Sequence, residues 1–265
     1  MMVSAAPYLP PRYNLVSLDQ VDSTNLDARR RAENGAPDAT IVLAASQNSG
    51  RGRRGRVWSS PVGNLYFSIV LRPDYDIANV MQLGFVMANA ITECISSVLP
   101  NAKTVNTKWP NDVLVSGKKI SGILLEGESG NDGKSLEWVI IGVGLNIVSH
   151  PGTGEGNVLS TSLADEGYLD GPDSISSILG TITHNFDAGM QSWQNDGFTT
   201  VRRKWLERAA GVGEKITVRL PNETISGTFK ELDQNGALLL AVDGGGERAI
   251  TAGDVFMAPL IGEME

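Results

Sequence analysis

The 265-residue chain reads as an α+β protein in two parts: a mixed strand-and-helix region over residues 1–211 and a small all-β module over residues 212–265. Two observations predict this division. Up to Gly211, short apolar runs of strand length alternate with longer runs of helical periodicity, such as Ile77–Leu99, which stops at Pro100. After Gly211 come five short strand-like runs, Glu214–Leu220, Thr224–Leu232, Ala237–Val242, Glu247–Thr251 and Val255–Ala258. Pro221-Asn222, Asn235-Gly236 and Gly244–Gly246 punctuate them, which is the texture of a small β-barrel or sandwich.

Composition narrows the function classes. With 41% hydrophobic and 20% charged residues the chain has what a folded core needs, which argues against wholesale disorder. A formal net charge of −8 and a pI near 4.9 argue against a broad basic surface for nucleic acid. The all-β module, with four basic and nine acidic residues, is no nucleic-acid platform either. Cys94 is the only cysteine, so an intramolecular disulfide or a cysteine-based zinc site is excluded; its apolar helical surroundings predict a buried, inert thiol. The N-terminus lacks the basic start and apolar core of a signal peptide, and no run approaches the ~20 apolar residues of a membrane helix. The expectation is a cytoplasmic protein with no membrane partner.

Along the chain, Asn14–Val21 predicts a strand, and the Asp-Ser-Thr-Asn that follows predicts the start of a polar helix ending near Gly35. Ser23 and Thr24 are ordinary helix caps; at a strand-to-helix junction the same groups can also hold a polar ligand. Thr40–Ala45 and Leu65–Leu71 predict buried strands on either side of the stretch Gln47–Asn64. Thr104–Pro110 and Asp112–Ser116 predict strands around the turn Lys108–Asp112 (KWPND), with Ile120–Glu128 returning after the turn signal Gly117-Lys118. Val139–Val148 predicts a buried strand whose glycines, Gly142 and Gly144, admit close approach of another backbone or a ligand. His150–Asn157 is a loop, and Asp173–Trp193 and Phe198–Ala210 predict helices. His150 and His184 lack metal-ligand spacing.

Chemistry concentrates in three places. Arg51, Arg53, Arg54 and Arg56 alternate with glycines in GRGRRGR, where guanidinium forks and closely approaching backbone N–H groups suit phosphate or carboxylate. Lys108, Lys118 and Lys119 add cations within twelve residues, although Lys118-Lys119 also fits a solvated hairpin turn and Asp112 an Asx turn. Asn146, inside the apolar run VIIGVGLNIV, is a buried amide that needs partners, which a ligand or metal-bound water can supply. Taken together they describe a site that brings two anions into contact.

Five motifs carry a resemblance: DSTN (Asp22–Asn25), GRGRRGRVW (Gly50–Trp58), NLYFSIVLRP (Asn64–Pro73), KWPNDVLVSGKKISGILLE (Lys108–Glu126) and GVGLNI (Gly142–Ile147). In this order and at this spacing they resemble the biotin protein ligases from about Val16 to Ile147, and the terminal module matches the family's C-terminal domain in size and strand pattern. The resemblance implies a mixed sheet similar to the catalytic core of class II aminoacyl-tRNA synthetases, the biotin–lipoate ligase core, followed by an SH3-like barrel. It implies that biotin and ATP, with Mg²⁺, form biotinyl-5′-adenylate and pyrophosphate, and that a lysine of a biotin carboxyl carrier domain, of acetyl-CoA carboxylase or a related carboxylase, then takes the biotinyl group. It does not fix the oligomeric state, monomer or homodimer.

For the residues, the resemblance implies biotin contacts from Ser23, Thr24, Asn25, Gln47, Arg51, Gly52, Arg53, Lys119 and Gly122, so Ser23 and Thr24 are expected both to cap and to bind. It implies ATP contacts from Arg51, Trp58, Lys108, Asn111, Asp112, Lys119 and Asn146, and Mg²⁺ at Asp112 and Asn146. Lys119, Arg53 and Asp112 are the expected catalytic group: Lys119 on the carboxylate and α-phosphate, Arg53 retaining the intermediate, and Asp112 taking the proton of an incoming lysine whose ordinary pKa is ~10.4. About 14 residues precede the first strand, too few for the DNA-binding domain that some members carry, so no repressor function is expected. A lipoate–protein ligase is the nearest alternative. A nucleic-acid-binding Arg–Gly protein is the alternative of another class, and the acidic composition speaks against it.

Overall fold

Alternation along the strands decides where this protein can hold a ligand. In the computed structural model, which describes residues 7–72, 79–99, 103–130, 135–152, 159–168 and 174–257, the first part contains β1 (Asn14–Val21), α1 (Thr24–Glu33), β2 (Thr40–Gln47), β3 (Leu65–Leu71), α2 (Val80–Val98), β4 (Val105–Lys108), β5 (Asp112–Val115), β6 (Lys118–Ser129), β7 (Leu136–Leu145), α3 (Ser174–Asp196) and α4 (Phe198–Leu206). The strands form one sheet in the order β1-β2-β3-β7-β6-β5-β4. β1 and β2 are parallel, as the crossover through α1 requires, and every other pair is antiparallel.

One face of the sheet is covered by α2 and α3. Ile41 and Leu43 of β2, Leu65, Phe67 and Ile69 of β3, and Val139, Ile141 and Val143 of β7 join Met87, Ile91, Ile182 and Phe186 in the main core. Successive strand residues alternate between faces, so the next ones belong to the opposite side. There α1 sets Ala28 and Ala32 against Val42, Val70, Trp138 and Ile140. Ten residues of helix span only about 15 Å, and α1 covers the apolar half of that face. Continuing along β3 and β7 on the same side come Ser68, Gly142 and Gly144, and across from Gly144 is Gly122 of β6. Tyr66 and Leu124 share this half, opposite Gly144 and Gly142, and the three glycines, beside Ser68, become the floor of a cavity.

The second part contains β8 (Lys215–Arg219), β9 (Thr224–Leu232), β10 (Leu238–Val242), β11 (Glu247–Ile250) and β12 (Asp254–Met257), all antiparallel in the order β11-β10-β9-β8-β12. Consecutive strands β11 and β12 therefore lie at opposite edges. Five flat strands would separate those edges by about 19 Å, whereas the four peptide units from Ile250 to Asp254 reach at most about 14 Å. The sheet must curl until its edges approach. It is fastened to the first part by Trp109 Nε1, which donates to Gly236 O at 3.1 Å, and by Arg202, which donates to Leu232 O at 2.7 Å.

Most expected strands lie where the apolar runs fall, with differences at the ends. The strand expected over Thr104–Pro110 stops at Lys108, and Trp109–Asn111 turn away, with a cis Trp109–Pro110 peptide. The strand expected to Val148 ends at Leu145, because the side chain of Asn64 accepts the next backbone N–H groups, from Ile147 and Val148. α4 ends at Leu206, not Ala210, because Ala210 N donates to Thr107 O of β4 and Arg208 O accepts Thr107 N instead. Ile77 and Ala78 at the expected start of α2, together with Pro73, Pro100, Asp173, Ala258 and residues 153–157, lie outside the described residues. Among the described residues, no helix is long and apolar enough to cross a membrane.

Trp205 on α4 is 1% exposed, meets Phe85 edge-to-face with ring centroids 5.4 Å apart, and its carbonyl accepts Thr107 Oγ1. Trp205→Ala is expected to lower unfolding free energy by about 3–5 kcal/mol in chemical denaturation. A loss below about 1 kcal/mol would mean that the junction of α4, α2 and β4 is not part of the cooperative core.

Candidate active site

The fourteen residues to which the resemblance gives contact or catalytic roles all line one cavity of about 380 Å³, whereas Arg54 and Lys118 of the same cationic clusters do not. It lies over the glycine-bearing half of that sheet face, between the N-terminus of α1, the arginine loop and the curled C-terminal sheet.

Its uncharged end is built from α1, β2 and β3. Ser23 holds the N-cap position but makes no side-chain capping bond, contrary to expectation. Thr24 N instead donates to Gln47 Oε1 at 2.7 Å, so the side chain of β2 caps the helix from outside. Gln47 Nε2 donates to Ser60 Oγ, and Ser60 Oγ to the carbonyl of Trp58. Thr24 Oγ1 lies 2.8 Å from Ser68 Oγ, which donates to Asn25 Oδ1; Asn25 Nδ2 donates to Glu126 Oε2 at 2.8 Å, and Glu126 pairs with Arg51 at 3.1 Å. A continuous polar chain thus fixes the amide of Gln47 and both ends of the arginine loop. Thr24 and Ser68 are drawn into this chain, which leaves the capping to Gln47.

The glycines make room for side chains, where a backbone or a ligand was expected. A Cβ at Gly142 would stand 1.9 Å from Asn25 Oδ1, and one at Gly144 would stand 2.4 Å from the Trp58 ring. Trp58 lies on Gly144 and Gly122, and Lys119 Nζ sits 5.4 Å from its ring centroid. Lys119 is the first cation of β6 to turn inward; Lys118 stays exposed. The segment after the loop pins it, Lys119 N donating to Leu159 O and Thr161 N to Lys119 O.

The other end is charged. Lys119 Nζ lies 2.6 Å from Asp112 Oδ1, an ion contact whose angle falls outside hydrogen-bond geometry. Arg53 donates to Asn111 Oδ1 at 2.9 Å and to Gly253 O at 3.2 Å. Burial disfavours the charge on Arg53 and on Lys108, pulling both below their usual ranges, and Asp254 and Asp112 restore part of it. Arg54 adopts a left-handed φ of 56°, which costs an L-residue about 1–2 kcal/mol, and reaches Asp254 at 3.3 Å, where Arg56 also binds. Burial alone would raise the Asp254 carboxyl; Arg56, then Arg54 and Arg53, hold it below the ordinary carboxylate range.

Among the described residues, three buried side-chain polar atoms have no hydrogen-bond partner: Trp58 Nε1, Asp112 Oδ1 and Asn146 Oδ1. All three residues line this cavity. Asn146 Nδ2 already donates to Thr161 O, so its free oxygen cannot be satisfied by rotating the amide. Asp112 Oδ1 still has the Lys119 ammonium beside it, but leaving Trp58 Nε1 and Asn146 Oδ1 dry costs roughly 1–3 kcal/mol each, which a ligand offering an acceptor to the indole and a donor or cation to the amide would recover. No group of three or more His, Cys, Asp or Glu side chains among the described residues could hold a metal ion unaided.

Four residues of the site escape the sequence reading. Glu126 interrupts the apolar run ILLEGE and is legible as a polar residue among buried neighbours. Asp254, Arg219 and Phe256 reach the cavity only because the C-terminal sheet docks beside the arginine loop, and no local pattern marks them.

Comparison with known proteins agrees with this geometry. Residues 17–146 match the biotin/lipoate A/B protein ligase family, and residues 211–257 match the biotin protein ligase C-terminal domain. The chain is 36% identical to a biotin–[acetyl-CoA-carboxylase] ligase of Paracoccus denitrificans, over 90% of this chain and 98% of that protein. It is 33% identical to the bifunctional ligase/repressor BirA of Bacillus subtilis, over 90% of this chain and 73% of that protein. Among solved structures it is similar to the Aquifex aeolicus biotin protein ligase in complex with biotin and ATP, with a TM-score of 0.75, 28% identity, and coverage of 92% of this chain and 98% of that one.

Asp254 yields a test of how the loop is held. Its folded-state carboxyl is lowered, so its stabilising contribution is present above the unfolded range near ~4 and is lost as pH falls through the folded value. Asp254→Asn is expected to speed trypsin cleavage within Arg51–Arg56 several-fold at neutral pH and to flatten the acid arm of the pH–stability curve. Equal cleavage of the two proteins would show that other contacts hold the loop.

Proposed function

The chain belongs to the biotin/lipoate A/B protein ligase family and is a ligase, and from that premise we propose that it activates biotin with ATP as biotinyl-5′-adenylate and passes the biotinyl group to a carrier lysine. The acceptor in this reading is the biotin carboxyl carrier domain of acetyl-CoA carboxylase or a related carboxylase, reached in the cytoplasm by a monomer or homodimer. The finer fold reading is a class II synthetase-like core with an SH3-like C-terminal barrel.

One observation carries the reading. The cavity joins a recess of neutral polar side chains (Ser23, Thr24, Asn25 and Gln47) to six cations (Arg51, Arg53, Arg56, Lys108, Lys119 and Arg219) set against the two carboxylates of Asp112 and Asp254. Biotin has a polar ring system that ends in a carboxylate, and ATP supplies the further negative charge. Two unit charges 4 Å apart repel by about 4 kcal/mol at an effective dielectric of 20, so bringing carboxylate and triphosphate together needs fixed counter-charge. Preorganised cations in a water-poor site supply it without reorganising.

In the first step, a carboxylate oxygen of biotin attacks the α-phosphorus of ATP, the bond to the bridging oxygen of the β-phosphate breaks, and pyrophosphate leaves with the electron pair. Ser23, Thr24, Asn25 and Gln47 hold the biotin rings, Gly122 borders them beside the Trp58 ring, and Lys119 bridges carboxylate and α-phosphate. Trp58 covers the adenine, and Lys108, Asn111 and Asn146 serve the phosphates. Asp112 and the free oxygen of Asn146 are hard oxygen donors that fit Mg²⁺, which characteristically uses one or two protein oxygens beside phosphate oxygens; bound there, the ion would neutralise phosphate charge. Arg51, Gly52 and Arg53 close over the adenylate and shield it from water. In the second step the carrier lysine attacks the acyl carbon and AMP departs, with Asp112 taking the ammonium proton.

The experiment is exchange of labelled pyrophosphate into ATP, with lipoate as control. Exchange is expected with biotin and not with lipoate, and Lys119→Ala is expected to slow it roughly 10²–10³-fold. Absence of biotin-dependent exchange in the unaltered protein would refute the adenylation reading.

A further inference from the structure

We propose that Arg219, on the C-terminal sheet, binds the β- and γ-phosphates of the nucleotide, the part that departs as pyrophosphate. The proposal rests on the nucleotide site inferred above and adds to it a residue from the other module.

The register of the sheet places this arginine. On β8 the buried side chains are Ile216 and Val218, which leaves Thr217 and Arg219 on the outer face. β12 runs antiparallel to it, with Asp254 opposite Arg219 and Phe256 opposite Thr217. Alternation therefore brings Arg219, Asp254 and Phe256 onto one face, and all three line the cavity.

An arginine directly across from an aspartate on one sheet face ordinarily pairs with it. Here it does not. The Asp254 carboxylate is taken by Arg54 and Arg56 of the loop, and among the described residues Arg219 has no ion-pair partner. Its guanidinium instead lies 4.8 Å from the ring centroid of Phe256, an arrangement that orients the fork without neutralising it. Arg53 and Lys108 also line the cavity, and among the described residues Arg53 donates to the neutral groups of Asn111 and Gly253. Arg53, Lys108 and Arg219 thus bring to the cavity three positive charges that form no ion pair among the described residues. Lys119, which is assigned to the α-phosphate, stands on the catalytic sheet, and Arg219 stands on the other module. A triphosphate lying between them puts its leaving end at Arg219, where a guanidinium stabilises the charge that pyrophosphate gains as its bond to the α-phosphorus breaks.

The test is calorimetric titration of the full chain with ATP, pyrophosphate and AMP, for the unaltered protein, Arg219→Ala and Arg219→Lys. Arg219→Ala is expected to weaken ATP and pyrophosphate roughly tenfold to a hundredfold, the range of a charge-assisted bond, and to leave AMP unchanged. Arg219→Lys should recover part of the loss. Equal weakening of all three ligands would overturn the proposal by placing Arg219 on the α-phosphate or base. Unchanged affinities for all three would also overturn it, including the case in which only the KM for the carrier domain rises. These outcomes do not depend on biotin chemistry. Failure of the adenylation reading would appear separately, as absent pyrophosphate exchange in the unaltered protein.

Discussion

The cavity wall carries more positive charge than its own carboxylates neutralise, inside a chain whose formal net charge is −8. Such an excess is costly to fold, and the structure distributes it. Glu126 takes Arg51, Asp112 takes Lys119, and Asp254 takes Arg54 and Arg56 from across the two modules. Burial weakens the charge on Arg53 and Lys108 without removing the need for a partner. The remaining imbalance is what an anionic substrate completes, so the same charges that oppose folding favour binding.

The geometry around these charges follows from the sheet. A short helix covers one half of a face, and in the other half Ser68, Gly122, Gly142 and Gly144 lie beside Tyr66 and Leu124. Small residues there let Asn25 and Trp58 lie directly on the backbone. The helix start is then held by Gln47, a side chain from the neighbouring strand, so the same contact caps α1 and fixes one wall of the recess. The C-terminal sheet supplies the remaining wall through Asp254 and Arg219. A module that looks separate in sequence therefore belongs to the site.

Much of this was legible in advance where the signal is local. Apolar runs located the strands, and β1, β3 and β9 have the bounds that their hydrophobic patterns mark. Clustered chemistry pointed to the cavity, since the arginines of the loop crowd together in an acidic chain and Asn146 interrupts an apolar run, whereas Lys119 alone also fits a solvated turn. What local pattern does not encode is competition for a partner. Ser23 and Thr24 carry the residue types of a helix cap, yet Gln47 and Ser68 displace that role through tertiary contact. Asp254 and Arg219 read as ordinary strand residues until the docking of the curled sheet sets them against the loop. α4 stops early because β4 offers its backbone a better partner than another helical turn.

If the charge excess is balanced by an acyl-adenylate, the protein should retain that intermediate. Protein mixed with biotin and ATP labelled at the α-phosphate, then desalted rapidly, is predicted to carry the label in stoichiometric amount and to release it as AMP when a carrier domain is added. Label that fails to stay with the protein, or that stays equally well without biotin, would contradict the account.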